Sequence, residues 1–260
     1  MGTRLLWPHR LWAGAGQSPS VRFPRLPVRL PNKIGGLLIE YGGVLYDDTV
    51  WHRWLWQLLS RLGLQANFGA FFHVWKEDYL DDIHLGRREL CEALRCFLLS
   101  AGLSRGQTDE VVTACRSRRM QLEEETKPLP AVKPTLRHFQ KTGIALVASG
   151  ESEHSAETLR CRLRKSGLDE LFGAVVSSSG LGAVKPNPIS YLAAIEELKL
   201  SAQNVAYVGH DAKALQGAAQ VGMYTIAFNF DQDVEADAYL HHFEKLAEAV
   251  GKPLPISMAS

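Results

Sequence analysis

Gly36-Leu37-Leu38-Ile39-Glu40-Tyr41-Gly42-Gly43-Val44-Leu45-Tyr46-Asp47-Asp48 is the stretch on which the fold turns. Leu37, Leu38 and Ile39 form a short unbroken apolar run, the pattern of a strand buried on both faces of a parallel sheet. The run stops at a carboxylate, Glu40, and the pair Gly42-Gly43 follows. The spacing predicts a strand that opens into a loop at Glu40. Open parallel sheets bind ligands beyond the carboxyl ends of their strands, so an acid emerging there is a candidate site residue. The two glycines permit backbone geometry that brings main-chain N–H groups close to an anion.

Three further places downstream repeat the pattern. Residues 144–148 are apolar and end at Ser149-Gly150, which sets a hydroxyl at a second strand end. Lys185 follows Gly180 and Gly182 and precedes Pro186-Asn187-Pro188. There Asn187 can cap, and Pro188 can occupy the first turn of, a helix running to about Leu198. Residues 205–208 are apolar and end at Gly209-His210-Asp211. Further strands are expected at residues 174–176 and 224–228, with helices near 155–166, 188–198 and 212–221. Short connections of this kind favour right-handed crossovers and a parallel sheet. The expected fold is α/β, a Rossmann-like core of five parallel strands with an inserted α-helical cap.

With these residues in hand, the chain resembles the haloacid dehalogenase superfamily of phosphohydrolases, in the phosphoglycolate-phosphatase-like branch that carries a helical cap after the first motif. The resemblance spans roughly residues 34–230. It rests on Ile39 to Asp47, on Pro128-Leu129-Pro130 leading through Gly143 to Ser149-Gly150, on Lys185-Pro186-Asn187-Pro188, and on Gly209-His210-Asp211 through Gly217-Ala218. It implies a hydrolase fold, Ser149 and Lys185 as phosphate-holding groups beside Gly42, Gly43 and Gly150, and Mg2+ as cofactor. Such a site would take a phosphorylated small molecule.

The chain departs from that pattern at several positions. The resemblance places an aspartate nucleophile at Glu40 and an aspartate acid/base at Gly42. It places metal-binding carboxylates at His210 and, four residues on, at Ala214. Glutamate is one methylene longer than aspartate, and a misplacement of about 1 Å can cost about 100-fold in rate. Loss of the general acid removes a further factor of about 100 to 10,000. Magnesium demands hard oxygen ligands in octahedral array, which His210 does not supply. The remaining metal candidates are Glu40 and Asp211, although a one-residue offset at a strand end turns a side chain elsewhere. Two functions follow: a catalytically impaired hydrolase-fold protein that binds a phosphorylated ligand or a partner, or an active hydrolase with Glu40 or Asp47 as attacking or activating group and His210 or Asp211 assisting.

Each residue also has a structural reading. Glu40 and Lys185 can form an ion pair with no catalysis. Ser149 can be a turn hydroxyl or cap the helix that begins near Ser155, and His210 a hydrogen-bonded turn residue. Asp47 and Asp48 precede a helix and suit N-cap or first-turn positions.

The expected domains are a basic segment 1–33, a core of 34–47 with 128–260, and a cap of 48–127. In the cap, Trp51, Trp54, Leu55, Leu58, Leu59 and Leu62 recur at helical spacing. Phe71, Phe72, Trp75 and Tyr79 add aromatic density. Two further helices are expected through Leu90 to Leu98 and through Val111 to Arg119.

Composition sets the outer bounds. At 260 residues with 46% hydrophobic and 22% charged side chains, the chain can bury a sizeable core. A formal charge of +1 gives no electrostatic case for nucleic acid. Residues 1–39 hold six cations and no acid, so the remainder is at −5. Five of the 12 prolines fall in the same segment, which interrupts any long amphipathic helix. No run reaches about 18 apolar residues, so no membrane span is expected. Cys91, Cys96, Cys115 and Cys161 have no metal-binding spacing and suit a reducing, cytoplasmic setting. Organelle targeting by the Arg-rich start is the alternative.

Overall fold

The computed structural model describes residues 33–47, 49–63, 68–230, 234–252 and 254. Asp48 and the basic segment through residue 32 lie outside the described residues.

The opening apolar run is the strand β1, Gly36–Glu40, with all five residues buried. Leu37 and Ile39 belong to one core cluster and Leu38 to another on the opposite face. That alternation explains why the run is unbroken: a central strand presents apolar side chains to helices on both sides. After β1 the described residues form an insertion of five α-helices: α1 (Thr49–Arg61), α2 (Phe68–Trp75), α3 (Asp81–His84), α4 (Leu90–Ser100) and α5 (Arg105–Glu125). A π-helical turn, Lys76–Leu80, joins α2 to α3. This insertion has its own apolar centre, formed by Leu55, Leu59, Trp75, Leu94, Leu98, Val111 and their neighbours.

The chain then alternates. Helix α6 (Val132–Lys141) leads to β2 (Ala145–Gly150), and α7 (Ala156–Lys165) to β3 (Ala174–Ser177). The short α8 (Ser178–Leu181) and α9 (Ile189–Leu198) lead to β4 (Val205–Gly209). Helix α10 (Ala212–Gln220) leads to β5 (Tyr224–Phe228), followed by β6 (Ala238–Leu240) and α11 (Leu246–Ala249). Helices α6, α7 and α11 cover one face of the sheet, and α9 and α10 cover the other.

All strand pairs are parallel, in the order β3-β2-β1-β4-β5-β6. The sheet therefore has six strands, one more than the apolar runs predict. The added strand, β6, is only Ala-Tyr-Leu between Asp237 and His241, too short to read as a buried run. It is secured from a distance: Thr225 donates its N–H and its hydroxyl to Asp237 Oδ2 at 2.8 and 2.9 Å. Because β1 lies between β2 and β4, the strand order reverses beside it. This is the point at which open sheets leave a crevice beyond their carboxyl ends.

Candidate active site

Four segments bring charge to that crevice. Glu40 ends β1, in register with Ser149 of β2, and Glu151 follows one residue after β2. Lys185 lies on the loop before α9, where Asn187 Oδ1 accepts the Ile189 N–H at 3.0 Å and fixes the turn. His210 follows β4 directly. Its strand-end neighbour must be glycine, because a Cβ at Gly209 would stand 2.6 Å from the Tyr207 ring. Glu40 is nearly buried, and its two oxygens face different partners: Oε2 lies 3.0 Å from His210 Nδ1 and Oε1 lies 3.6 Å from Lys185 Nζ. Lys185 Nζ is also 3.6 Å from Glu151 Oε1, and that oxygen accepts the Lys185 backbone N–H at 2.5 Å. The ammonium is thus buried at ion-pair distance from two carboxylates, both at the long end of hydrogen-bond reach.

Burial pushes the Glu40 carboxyl up, but the His210 imidazole and then the Lys185 ammonium outweigh it and hold the group at about 2. Burial also pulls Lys185 down, while Glu151 and then Glu40 outweigh that and raise it above its usual value. Burial and the Glu40 charge keep the Tyr207 phenol protonated. A carboxyl depressed from 4.5 to about 2 stabilises the fold fully above 4.5 and loses that contribution as pH falls through about 2. At about 1.4 kcal/mol per pH decade the contribution is about 3 kcal/mol. Urea unfolding of the wild type and Glu40→Gln should therefore differ less and less as pH falls from 4.5 toward 2. A gap that stays constant over that window would refute the assignment.

Asp211 is engaged elsewhere. Its Oδ1 accepts the Ala214 N–H at 3.1 Å as the N-cap of α10, and its Oδ2 pairs with Lys76 Nζ at 2.7 Å. Burial raises the Asp211 carboxyl, and the Lys76 hydrogen bond and charge bring it below its usual value. These donors do not fit magnesium. The oxygens of Glu40 and Asp211 already face a lysine, an imidazole or a backbone N–H, position 210 is an imidazole, and position 214 is an alanine. Among the described residues no group of three His, Cys, Asp or Glu side chains could hold a metal ion.

A cavity of about 680 Å³ opens over the cluster, between the sheet's carboxyl edge and the helical insertion. Glu40, Gly42, Gly150, Lys185, His210 and Asp211 all line it, but Ser149 and Gly43 do not. Ser149 is buried in β2, where its carbonyl accepts the Tyr41 N–H at 2.8 Å; the helix near it is capped instead by Ser155, which accepts the Thr158 N–H at 3.2 Å. Gly43 does adopt a left-handed φ of 71°, but its N–H donates to Tyr46 O at 2.8 Å and so closes the loop rather than facing a ligand. Asp47 lines the cavity and pairs with Arg53 at 2.8 Å.

Two charged residues were not anticipated from sequence. Glu151 had a usable signal, since it follows Ser149-Gly150 at a strand end. Lys76 had none: it sits on the π-helical turn and meets Asp211 from 135 residues away. The same boundary is bridged by Lys213 to Glu77 at 3.8 Å, by Arg119 to Glu153, and by the Ser178 hydroxyl donating to His84 O at 2.7 Å.

A haloacid dehalogenase-like hydrolase family model matches residues 42–222. The glyceraldehyde 3-phosphate phosphatase of Methanopyrus kandleri is 34% identical over 103 residues, 38% of this chain and 42% of that protein. The (S)-2-haloacid dehalogenase 4A of Burkholderia cepacia is 28% identical over 116 residues, 44% of this chain and 48% of that protein. The chain thus spans less than half the length of these curated relatives. The solved HAD-hydrolase YfnB of Bacillus subtilis, bound to magnesium, superposes with a TM-score of 0.63 at 17% identity, over 85% of this chain and 100% of that one. At that identity the likeness shows the fold alone.

Proposed function

The chain belongs to the haloacid dehalogenase-like hydrolase family, and we propose that within it this protein is a catalytically impaired member whose cleft binds a phosphorylated small molecule. One observation carries the reading. Lys185 Nζ is buried 3.6 Å from both Glu40 and Glu151, a long separation for a charge-assisted hydrogen bond. A buried ammonium whose acceptors stand farther off than the roughly 2.7–2.9 Å of a strong charge-assisted bond can gain a shorter one from an oxyanion, and such bonds to phosphate are among the strong ones. Glu40, at the nucleophile position, is meanwhile held between His210 and Lys185, and Gly42 carries no acid to protonate a leaving group. Misplacement and the missing acid together reduce the expected rate by about 10,000-fold or more.

A second reading is favoured by one fact: the Glu40 carboxyl stays ionised near neutral pH, as a nucleophile must. In that reading the protein is an active hydrolase. Glu40 would attack the phosphorus of a phosphate ester, the expelled alkoxide taking its proton from water, or the halogen-bearing carbon of a haloacid with departure of halide. Water would then cleave the resulting acyl intermediate.

The deciding experiment incubates the full chain with glyceraldehyde 3-phosphate, other phosphate monoesters and 2-chloropropionate, with and without magnesium, and follows binding by calorimetry. Phosphate-ester binding that is lost in Lys185→Ala, with no turnover, is the expected result. Turnover that disappears in both Glu40→Ala and Lys185→Ala would replace it with the second reading. Neither binding nor turnover would overturn both.

A further inference from the structure

We infer that resident side chains, Lys185 and Lys76 among them, stand where a divalent metal would, so that this cleft holds no divalent metal. A hard divalent ion needs several free carboxylate oxygens in fixed geometry. Three carboxylates stand at the sheet's carboxyl edge, Glu40, Asp211 and Glu151, and each is already engaged from within the chain. His210 Nδ1 sits 3.0 Å from one oxygen of Glu40, and Lys185 Nζ sits 3.6 Å from the other. Asp211 gives one oxygen to Lys76 Nζ at 2.7 Å and the other to the Ala214 N–H at 3.1 Å. The third carboxylate, Glu151, is turned to Lys185 and takes its backbone N–H. A metal entering this space would meet cations at the positions its ligands need to leave free.

Glu40 and Asp211 differ in where their partners come from. His210 and Lys185 come from the core, on the loops after β4 and before α9. Lys76 comes from the π-helical turn of the insertion, and π-turns of this kind often mark functional positions. The insertion therefore supplies charge to the crevice as well as covering it, and Lys213 with Glu77 adds a second contact of the same kind at 3.8 Å. The inference is independent of whether the cleft turns a substrate over, because it concerns metal occupancy alone.

The test is Mn2+ binding to the full chain, read by electron paramagnetic resonance. Wild type is expected to show no site tighter than about 1 mM, the weak end of protein oxygen-ligand sites. His210→Asp removes the imidazole and adds a carboxylate beside Glu40, so it should bind Mn2+ at least about tenfold more tightly, since affinity follows ligand charge count. A wild-type site tighter than about 1 mM that is lost in Glu40→Gln would overturn the inference, and so would a folded His210→Asp that binds no better than wild type. Thermal unfolding of the wild type supplies a check that needs no variant. Magnesium chloride should shift the midpoint no more than sodium chloride of equal ionic strength, and a magnesium-specific rise would overturn the inference.

Discussion

Lys185→Met should lower stability by about 3 kcal/mol at neutral pH and abolish binding of phosphate esters. Methionine keeps the apolar stem, so little cavity is formed and the cost is electrostatic. Removing one partner of a buried ion pair costs about 3–5 kcal/mol, because the other charge stays buried without compensation. Here Glu40 keeps His210 at 3.0 Å on its second oxygen, which places the expectation at the lower end of that range. The sign with pH follows. Without the ammonium, burial acts on Glu40 with one opponent fewer, so the carboxyl takes up its proton at higher pH than in the wild type. The cost of the substitution should therefore shrink as the solution is acidified. Adding Glu40→Gln to Lys185→Met should recover at least about 1 kcal/mol, since the stranded charge is removed. Urea unfolding of the two single variants and the double variant measures all three quantities. A double variant whose loss equals the sum of the two single-variant losses would show that Glu40 and Lys185 are not coupled.

Trp75→Ala should cost about 3–5 kcal/mol and loosen the insertion from the core. Trp75 is fully buried, stacked on Tyr79 at 5.6 Å and edge-on to Phe97 at 5.8 Å. It also precedes Lys76 directly, so it anchors the turn that carries the cation to Asp211. The indole N–H makes no hydrogen bond among the described residues, and a buried donor without a partner costs about 1–3 kcal/mol. The ring's bulk, not its polarity, is then what stabilises the site. Trp75→Phe keeps most of the bulk and drops the donor, so it should lie within about 1 kcal/mol of wild type. Chemical denaturation monitored by near-ultraviolet circular dichroism separates the cases. A Phe variant as unstable as the Ala variant would mean that the indole N–H has a partner after all.

The parallel sheet was legible in the sequence because its signals are local. Runs of three to five apolar residues ending in glycine, a carboxylate or a hydroxyl mark strand ends without knowledge of what lies opposite. That is why Glu40, Lys185 and His210 could be named together, and why the helices at 156–165, 189–198 and 212–220 fall close to their expected places. Departures from the family pattern at positions 40, 42, 210 and 214 were equally visible, since they are matters of residue identity. The number of strands was not, because the three residues of β6 have too little periodicity to stand out and depend on pairing with Ile226 to Phe228.

The contacts that decide the site's chemistry belong to the tertiary structure. Sequence placed Ser149 at a strand end, but only the packed sheet shows it buried away from the cavity. It placed Gly43 near an anion, but loop closure consumes that N–H on Tyr46. Which oxygen of Glu40 meets which cation, and the pairing of Asp211 with a lysine 135 residues earlier, depend on distances between segments that no local pattern encodes. Apolar periodicity is a property of neighbours along the chain, whereas charge compensation in a crevice is a property of neighbours in space. The sequence by itself therefore determined the sheet and the residues at its carboxyl edge, and tertiary structure alone decided how their charges are matched.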